Sequence, residues 1–181
     1  MIYHKRMKLI FSDDEFEYYL YSPRVWQLYY PEKPGREEPS HRYRLTHKLH
    51  MIHYILNGGY NVLYVVKNDE VVSYIAFVKC HNGIVKNSNK NDYYTIFLYT
   101  YPEYRSQGIA SKMANVMLHK SNLNFRYFYK TISKDNYSSI KVAEKSRFKC
   151  ICDANKVGIF HQIIPVKNGN QFLYRYDGAL K

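Results

Sequence analysis

The sequence predicts an α/β (α+β) fold: a mixed sheet with helices on its faces. Two observations carry this. Strand-like and helix-like segments follow one another in the order β-α-α-β-β-β-α-β-α-β-β, without a repeat. The hydrophobic fraction is 46% and the aromatic fraction 17%, enough for a substantial core in a chain of 181 residues. That length suits one domain, residues 1–181.

The elements are expected as follows. "MKLIF" (7–11) reads as a short strand. Ser12 opens "SDDE", with Glu15 at capping-box spacing, which predicts a helix with Phe16, Tyr19 and Leu20 inward. Pro23 after Ser22 suits the first turn of a second helix, "SPRVWQLYY". Three prolines and a glycine make 31–39 a loop. Ser40 caps a long helix with Leu45, Leu49, Ile52 and Leu56 as its apolar face, stopped by "NGG". "NVLYVVK" and "VVSYIAFVKC" form a hairpin about "NDE". "YYTIFLYTY" (93–101) is a third strand of that group. A helix follows with Ile109, Met113, Val116 and Met117 on one face, and then the strand "FRYFYKTI" (125–132). "NYSSIKVAEKSRF" (136–148) is a short helix capped by Asn136. "FKCICDA" and "VGIFHQIIPV" are strands that can pair, and "QFLYRY" is one more or a tail.

Composition narrows the function classes. The formal net charge is +12, which admits nucleic acid, an acidic membrane surface or an anionic small molecule. The lysines are scattered among abundant Asn, Ile and Tyr, a coding bias that weighs against a nucleic-acid surface. Cys80, Cys150 and Cys152 show no disulfide spacing, so a reducing, cytoplasmic setting is expected. The N-terminus does not read as a signal peptide. No apolar run reaches the roughly 18 residues of a membrane span. His47, His50 and His53 rotate around their helix with no completing ligand, so no metal is expected. Oligomeric state is left open between monomer and homodimer.

"YPEYRSQGIASK" (101–112) joins a strand to a helix almost directly. Unsatisfied N–H groups and the helix dipole bind phosphate at such a junction. Gly108 allows close approach, Ala110 stays small, and Arg105 and Ser111 add a cation and a hydroxyl. Neither the ATP phosphate-loop signature nor the dinucleotide glycine pattern is present. On these residues alone, an ordinary turn and a phosphate cradle stand even.

The wider stretch resembles the acetyl-CoA-binding motif of the GNAT family of N-acetyltransferases. Arg105, Gly108 and Ala110 meet its R-x-x-G-x-A pattern, after Pro102, Glu103 and Tyr104. Asn136, Ser139, Glu144, Lys145 and Phe148 fall at the offsets of a second family motif on the next strand–helix unit. The resemblance covers residues 93 to 150, and the N-terminal β-α-α-β-β order is expected to agree with it. It implies an acyl-CoA N-acyltransferase fold: a mostly antiparallel mixed sheet, helices on both faces, and a splayed parallel strand pair opened by a bulge near Leu98 to Thr100.

It also implies an enzyme that transfers acetyl from acetyl-CoA to a primary amine by direct attack in a ternary complex. Cofactor contacts then fall to Leu98, Tyr99, Thr100, Arg105, Ser106, Gln107, Gly108, Ile109, Ala110, Ser111 and Asn136. The acceptor pocket falls to Trp26, Tyr29 and Tyr30, with Glu32, Glu37 and Glu38 able to attract an ammonium group. Ala143 stands where many members carry a proton-donating tyrosine, and Arg147 where a glycine is usual. Ser139, one turn before Ala143, is the substitute acid candidate. The strand 93–100 offers no carboxylate base, and Asp92 falls too early, at its far end; Tyr94, Tyr99, His81, the acids of 31–39 and a water chain stay open. A small-molecule amine is the expected acceptor, with sugar amines, polyamines, amino acids, antibiotics and protein N-termini all admissible. The alternatives are a non-catalytic CoA-binding module and a tRNA-associated acetylase.

Overall fold

The computed structural model describes residues 7–26, 28, 45–80, 83–158 and 161–178. Among them, strands β1 (Met7–Ser12), β2 (Glu17–Tyr21), β3 (Tyr60–Lys67), β4 (Glu70–Lys79), β5 (Tyr93–Thr100), β6 (Tyr127–Ser133), β7 (Lys149–Val157), β8 (Gln162–Pro165) and β9 (Gln171–Asp177) form one sheet. Its order is β1-β2-β3-β4-β5-β6-β9-β7-β8. Neighbours are antiparallel except β5 and β6. Helix α1 (Leu45–Leu56) packs on one face. Helices α2 (Ile109–Lys120) and α3 (Tyr137–Lys145) cover the other.

The helix expected after Ser12 is not formed. The Asp13 carboxylate accepts the N–H groups of Glu15 and Phe16, both at 3.0 Å. The acidic cap signature thus closes a tight turn, and β2 returns antiparallel to β1. Tyr18 and Tyr21 then alternate onto opposite faces, both fully buried. Residues 22–26 hold an isolated bridge at Arg24 and a turn at Val25 and Trp26 rather than the start of a second helix. The expected β-α-α-β-β start is therefore a hairpin followed, among the described residues, by α1.

The β3/β4 hairpin turns on Asn68 and Asp69, both at positive φ (49° and 63°), the turn whose twist matches the strands. Three of the four residues expected to face inward on α1 face outward, and Ile52 is half-buried. Leu45, Leu49 and Leu56 are 71%, 55% and 71% exposed, while Met51 is buried with Tyr54 and Ile55 beside it. On α2 the expected stripe holds: Ile109, Met113, Val116 and Met117 are all buried. "QFLYRY" is a strand, β9, inserted between β6 and β7. A bulge between Cys150 and Cys152 breaks the alternation that would have set both thiols on one face.

Candidate active site

The parallel pair is short. Only Tyr93 with Phe128 and Tyr94 with Tyr129 are in register, and beyond them β5 and β6 part. The bulge on β5 lies at Ile96, between the pairs Phe77/Thr95 and Ala76/Phe97, earlier than the expected Leu98 to Thr100. An extra residue there bends the strand and increases its twist, steering its C-terminal half away from β6. The result is a wedge. On the α1 side, the Tyr94 hydroxyl spans its base, 2.7 Å from Thr131 Oγ1. On the other side, Thr95 and Lys130 each stand one step past the last pair.

At the far end of β5 the chain passes through the 3-10 turn Pro102–Tyr104 into α2. Tyr101 anchors the loop: it is buried, and its N–H donates to the Val72 carbonyl at 3.1 Å. Arg105 folds back, its Nε donating to the Thr100 carbonyl at 3.0 Å and its guanidinium 5.6 Å from the Tyr99 ring centre. Gln107 Nε2 donates to the Glu103 carbonyl at 3.1 Å. Ser73 Oγ donates to the Tyr99 carbonyl and lies 2.8 Å from Thr100 Oγ1, fixing the end of β5 from β4.

Ser106 (φ 63°) and Gly108 (φ 76°) are left-handed on either side of Gln107, a backbone arrangement that gathers successive N–H groups. Among the described residues, no acceptor faces the N–H groups of Ser106 to Ser111. A Cβ built on Gly108 would meet nothing within 4 Å, so the cradle is open in front of it. This is a fit for an anion with several acceptor oxygens.

Asn136 caps α3 rather than standing loose. Its Oδ1 accepts the Ser139 N–H at 3.1 Å and the Ser138 hydroxyl at 3.0 Å. Its Nδ2 is the part left outside the cap. Ser139 is half-buried in the first turn. Ala143 is fully buried, and its carbonyl accepts the Phe148 N–H at 3.0 Å. Arg147 holds a positive φ of 62°, which is the conformation a glycine adopts readily at this helix end.

Of the base candidates, Asp92 is buried but committed. Its two oxygens accept the N–H groups of Tyr127 (3.0 Å) and Asn89 (2.8 Å), tying the start of β5 to the start of β6. Burial holds the Tyr94 phenol well above its ordinary range, which unfits it to accept a proton. Tyr99 packs in the aromatic cluster with Tyr74 and Tyr101. His81, Tyr29, Tyr30 and residues 31–39 lie outside the described residues. Trp26 is 76% exposed, with the Arg24 guanidinium 5.4 Å from its ring. A shallow cavity of about 440 Å³ lies elsewhere, between Cys152 and Asp153 and the 165–168 turn, with no chemistry of this kind.

Sequence reasoning missed two groups at the wedge. Lys130 is only 8% exposed. Its Nζ lies 4.6 Å from the Phe148 ring centre, and burial pushes its ammonium down to about 8. Thr95 is equally buried, and its Oγ1 has no hydrogen-bond partner among the described residues. "YFYKTI" and "YYTIF" carry no signal for either, because burial of these positions comes from the helices laid over them.

A parallel strand pair that splays beside an open N–H cradle defines the class of the acyl-CoA acyltransferases. The family model "Acetyltransferase (GNAT) family" matches residues 22–148. The chain belongs to this family of acetyl-CoA-dependent acetyltransferases. No curated protein sequence matches it. Solved structures share its fold at low identity. An acetyl transferase from Salmonella typhimurium, which modifies the N-terminal serine of ribosomal protein L7/L12, is 14% identical with a TM-score of 0.60. That match covers 95% of this chain and 100% of the other. The microcin C7 self-immunity acetyltransferase MccE, solved with acetyl-CoA and AMP, is 13% identical with a TM-score of 0.56, covering 91% and 93%. The N-acetyltransferase PseH of Campylobacter jejuni, solved with acetyl-coenzyme A, is 12% identical with a TM-score of 0.50, covering 73% and 78%. No helix among the described residues is long and apolar enough to cross a membrane.

Proposed function

We propose that this chain is a single-domain N-acetyltransferase that moves an acetyl group from acetyl-CoA to a primary amine by direct attack within a ternary complex. The open cradle at Ser106 to Ser111, set at the mouth of the β5/β6 wedge, is the observation that carries this reading. Those N–H groups would hold the pyrophosphate, aided by the α2 dipole. The part of β5 beyond Tyr94 offers its β6-facing backbone edge to the pantetheine arm, as to an added strand. Bound there, acetyl-CoA supplies the activated acyl carbon. Leu98, Tyr99, Thr100 and the Nδ2 of Asn136 border its path.

The acceptor approaches from the α1 side, near Trp26. A small-molecule amine is the proposed acceptor. The neighbour that acts on a protein N-terminus keeps that class in the panel. Cys80, Cys150 and Cys152 are free, which suits a reducing, cytoplasmic setting.

Calorimetric titration with acetyl-CoA tests the reading. Wild type should bind at micromolar concentration. Gly108→Glu, which sets a carboxylate in the cradle, should lose at least about 100-fold. Thiol release over a panel of amines then identifies the acceptor class. Failure of wild type to bind acetyl-CoA would sink the proposal.

A further inference from the structure

The splayed strand pair is closed at its inner end by one side chain. Tyr94 of β5 stands directly opposite Tyr129 in the last register pair. Its hydroxyl reaches further than that. It lies 2.7 Å from Thr131 Oγ1, on the next position of the same face of β6, roughly 6–7 Å along that strand. The ring therefore leans past the last pair and crosses the gap between the strands on the α1 side. We propose that this Tyr94–Thr131 bar is the floor of the acyl pocket, and that it limits the transferred group to acetyl. This rests on the reading of the wedge as the acetyl-CoA site.

Three observations converge on it. First, burial changes at the bar. On β5, Tyr93, Tyr94 and Thr95 are buried, and every residue from Ile96 to Thr100 is half-buried. Along the α1-facing row of β6, Tyr129 is buried, Thr131 half-buried and Ser133 exposed. The bar thus marks the boundary between a filled core and an accessible wedge. Second, the ring is backed by packed side chains. Tyr94 is only 3% exposed, and Tyr129, Cys80 and Tyr54 of α1 belong to the same cluster. Third, the ring is tied at its outer end. The bond to Thr131 holds it across the gap, and Thr131 is itself held in the β6/β9 ladder opposite Leu173. A side chain fixed at both ends is a stop rather than a yielding wall.

A stop of this kind selects by size. Acyl groups on one thiol carrier differ only beyond the carbonyl, so chain length is the dimension a floor measures. Acetyl ends in a methyl, the smallest alkyl group such a floor can admit. Each added methylene must displace a ring that is already packed, and close-packed interiors resist such insertion. A pocket that distinguishes one methylene does so by about 10–200-fold. The bar acts on the acyl end alone. The cradle at Ser106 to Ser111 lies beyond the far end of β5, so the affinity it gives to CoA is separate from the limit set by Tyr94.

Calorimetry with CoA, acetyl-CoA, propionyl-CoA and butyryl-CoA tests this by binding alone. Wild type should bind butyryl-CoA at least about 10-fold more weakly than acetyl-CoA, with propionyl-CoA between them. Tyr94→Ala removes the bar. It should bring the acetyl-CoA and butyryl-CoA affinities within about twofold of each other and leave the affinity for CoA at its wild-type value. Tyr94→Phe keeps the ring and should keep the discrimination to within about threefold. With the best amine from the panel, the butyryl to acetyl ratio of kcat/KM should rise at least about 10-fold in Tyr94→Ala. Where Tyr94→Ala does not fold, Thr131→Ala unties the ring at its outer end and should move both ratios the same way, by about 3-fold or more. Wild type that takes butyryl-CoA as readily as acetyl-CoA would overturn the proposal. So would a folded Tyr94→Ala or Thr131→Ala whose ratios stay at the wild-type values. If wild type binds neither CoA nor acetyl-CoA, the reading of the cradle has failed instead, and the proposal falls with it.

Discussion

The two faces of the sheet are built on different plans. Under α2 and α3 lies a packed aromatic and aliphatic layer: Phe77, Tyr93, Phe125 and Phe128 stack against one another beneath Met113 and Met117. Under α1 lies a layer of tyrosines, among them Tyr21, Tyr64, Tyr74 and Tyr94, covered among the described residues by one helix that buries Met51 and leaves three leucines exposed. On the first face rings and helix side chains interlock, with Phe77, Phe128, Met113 and Met117 fully buried. The contrast teaches that burial on the first face comes from interlocking rings under two helices, and on the second, among the described residues, from one amphipathic helix.

The contrast breaks most directly on paired truncations. Phe128→Ala removes a fully buried ring at the centre of the packed face and should cost about 3–5 kcal/mol in urea unfolding. Leu49→Ala, from the outward stripe of α1, should stay within about 0.5 kcal/mol. Equal losses would mean that α1 is as tightly packed as α2.

The next effect concerns the charge buried in the packed face. Lys130 falls from 10.5 to about 8 on folding, so the unfolded chain holds the extra proton between those values. Its penalty is complete below about 8 and is relieved as pH rises towards 10.5, a gain of about 3 kcal/mol. Wild-type stability should therefore rise across that window relative to Lys130→Met, which should be the more stable protein at neutral pH. The tyrosines held above their ordinary value act the opposite way above about 10, in both proteins alike. The difference between the two unfolding curves isolates the lysine. A flat difference would show that the ammonium finds a partner.

What could be read beforehand follows the same division. The packed face was legible because its signals are local: the α2 stripe, the Asn136 cap and the Arg105, Gly108 and Ala110 pattern all sit within a few residues of what they form. The N-terminal region was not. "SDDE" offers the same side-chain-to-backbone bonds to a helix cap and to a tight turn, and the choice was made by pairing with β3, from Glu17 with Val66 to Tyr21 with Val62. On α1 the leucines carry the stronger periodic signal, but the tyrosine side chains already fill that face of the sheet. Nothing local in the sequence marks Lys130 as buried; Phe148, distant in the chain, packs on its ammonium.

Smaller effects test the cradle. Gly108→Ala meets no steric obstacle, since nothing lies within 4 Å of the new Cβ. Its cost is therefore conformational, about 1–2 kcal/mol for a side chain at φ 76°. Thermal unfolding should register that loss, and calorimetry should show weaker acetyl-CoA binding as the backbone relaxes away from the left-handed turn. Unchanged affinity would argue that the N–H groups do not depend on this geometry.

Thr95→Val should give two small readouts of opposite sign. The hydroxyl is buried and unpartnered, so replacing it by a methyl of similar shape removes a desolvation cost of about 1 kcal/mol. The ligand-free protein should become slightly more stable. If the hydroxyl waits for the pantetheine arm, the same change removes a bond made only in the complex, and acetyl-CoA should bind about 3–10-fold more weakly. A substitution that stabilises the free protein while weakening the complex marks a polar group kept for its ligand. If both quantities rise together, Thr95 is merely imperfect packing and makes no bond to acetyl-CoA.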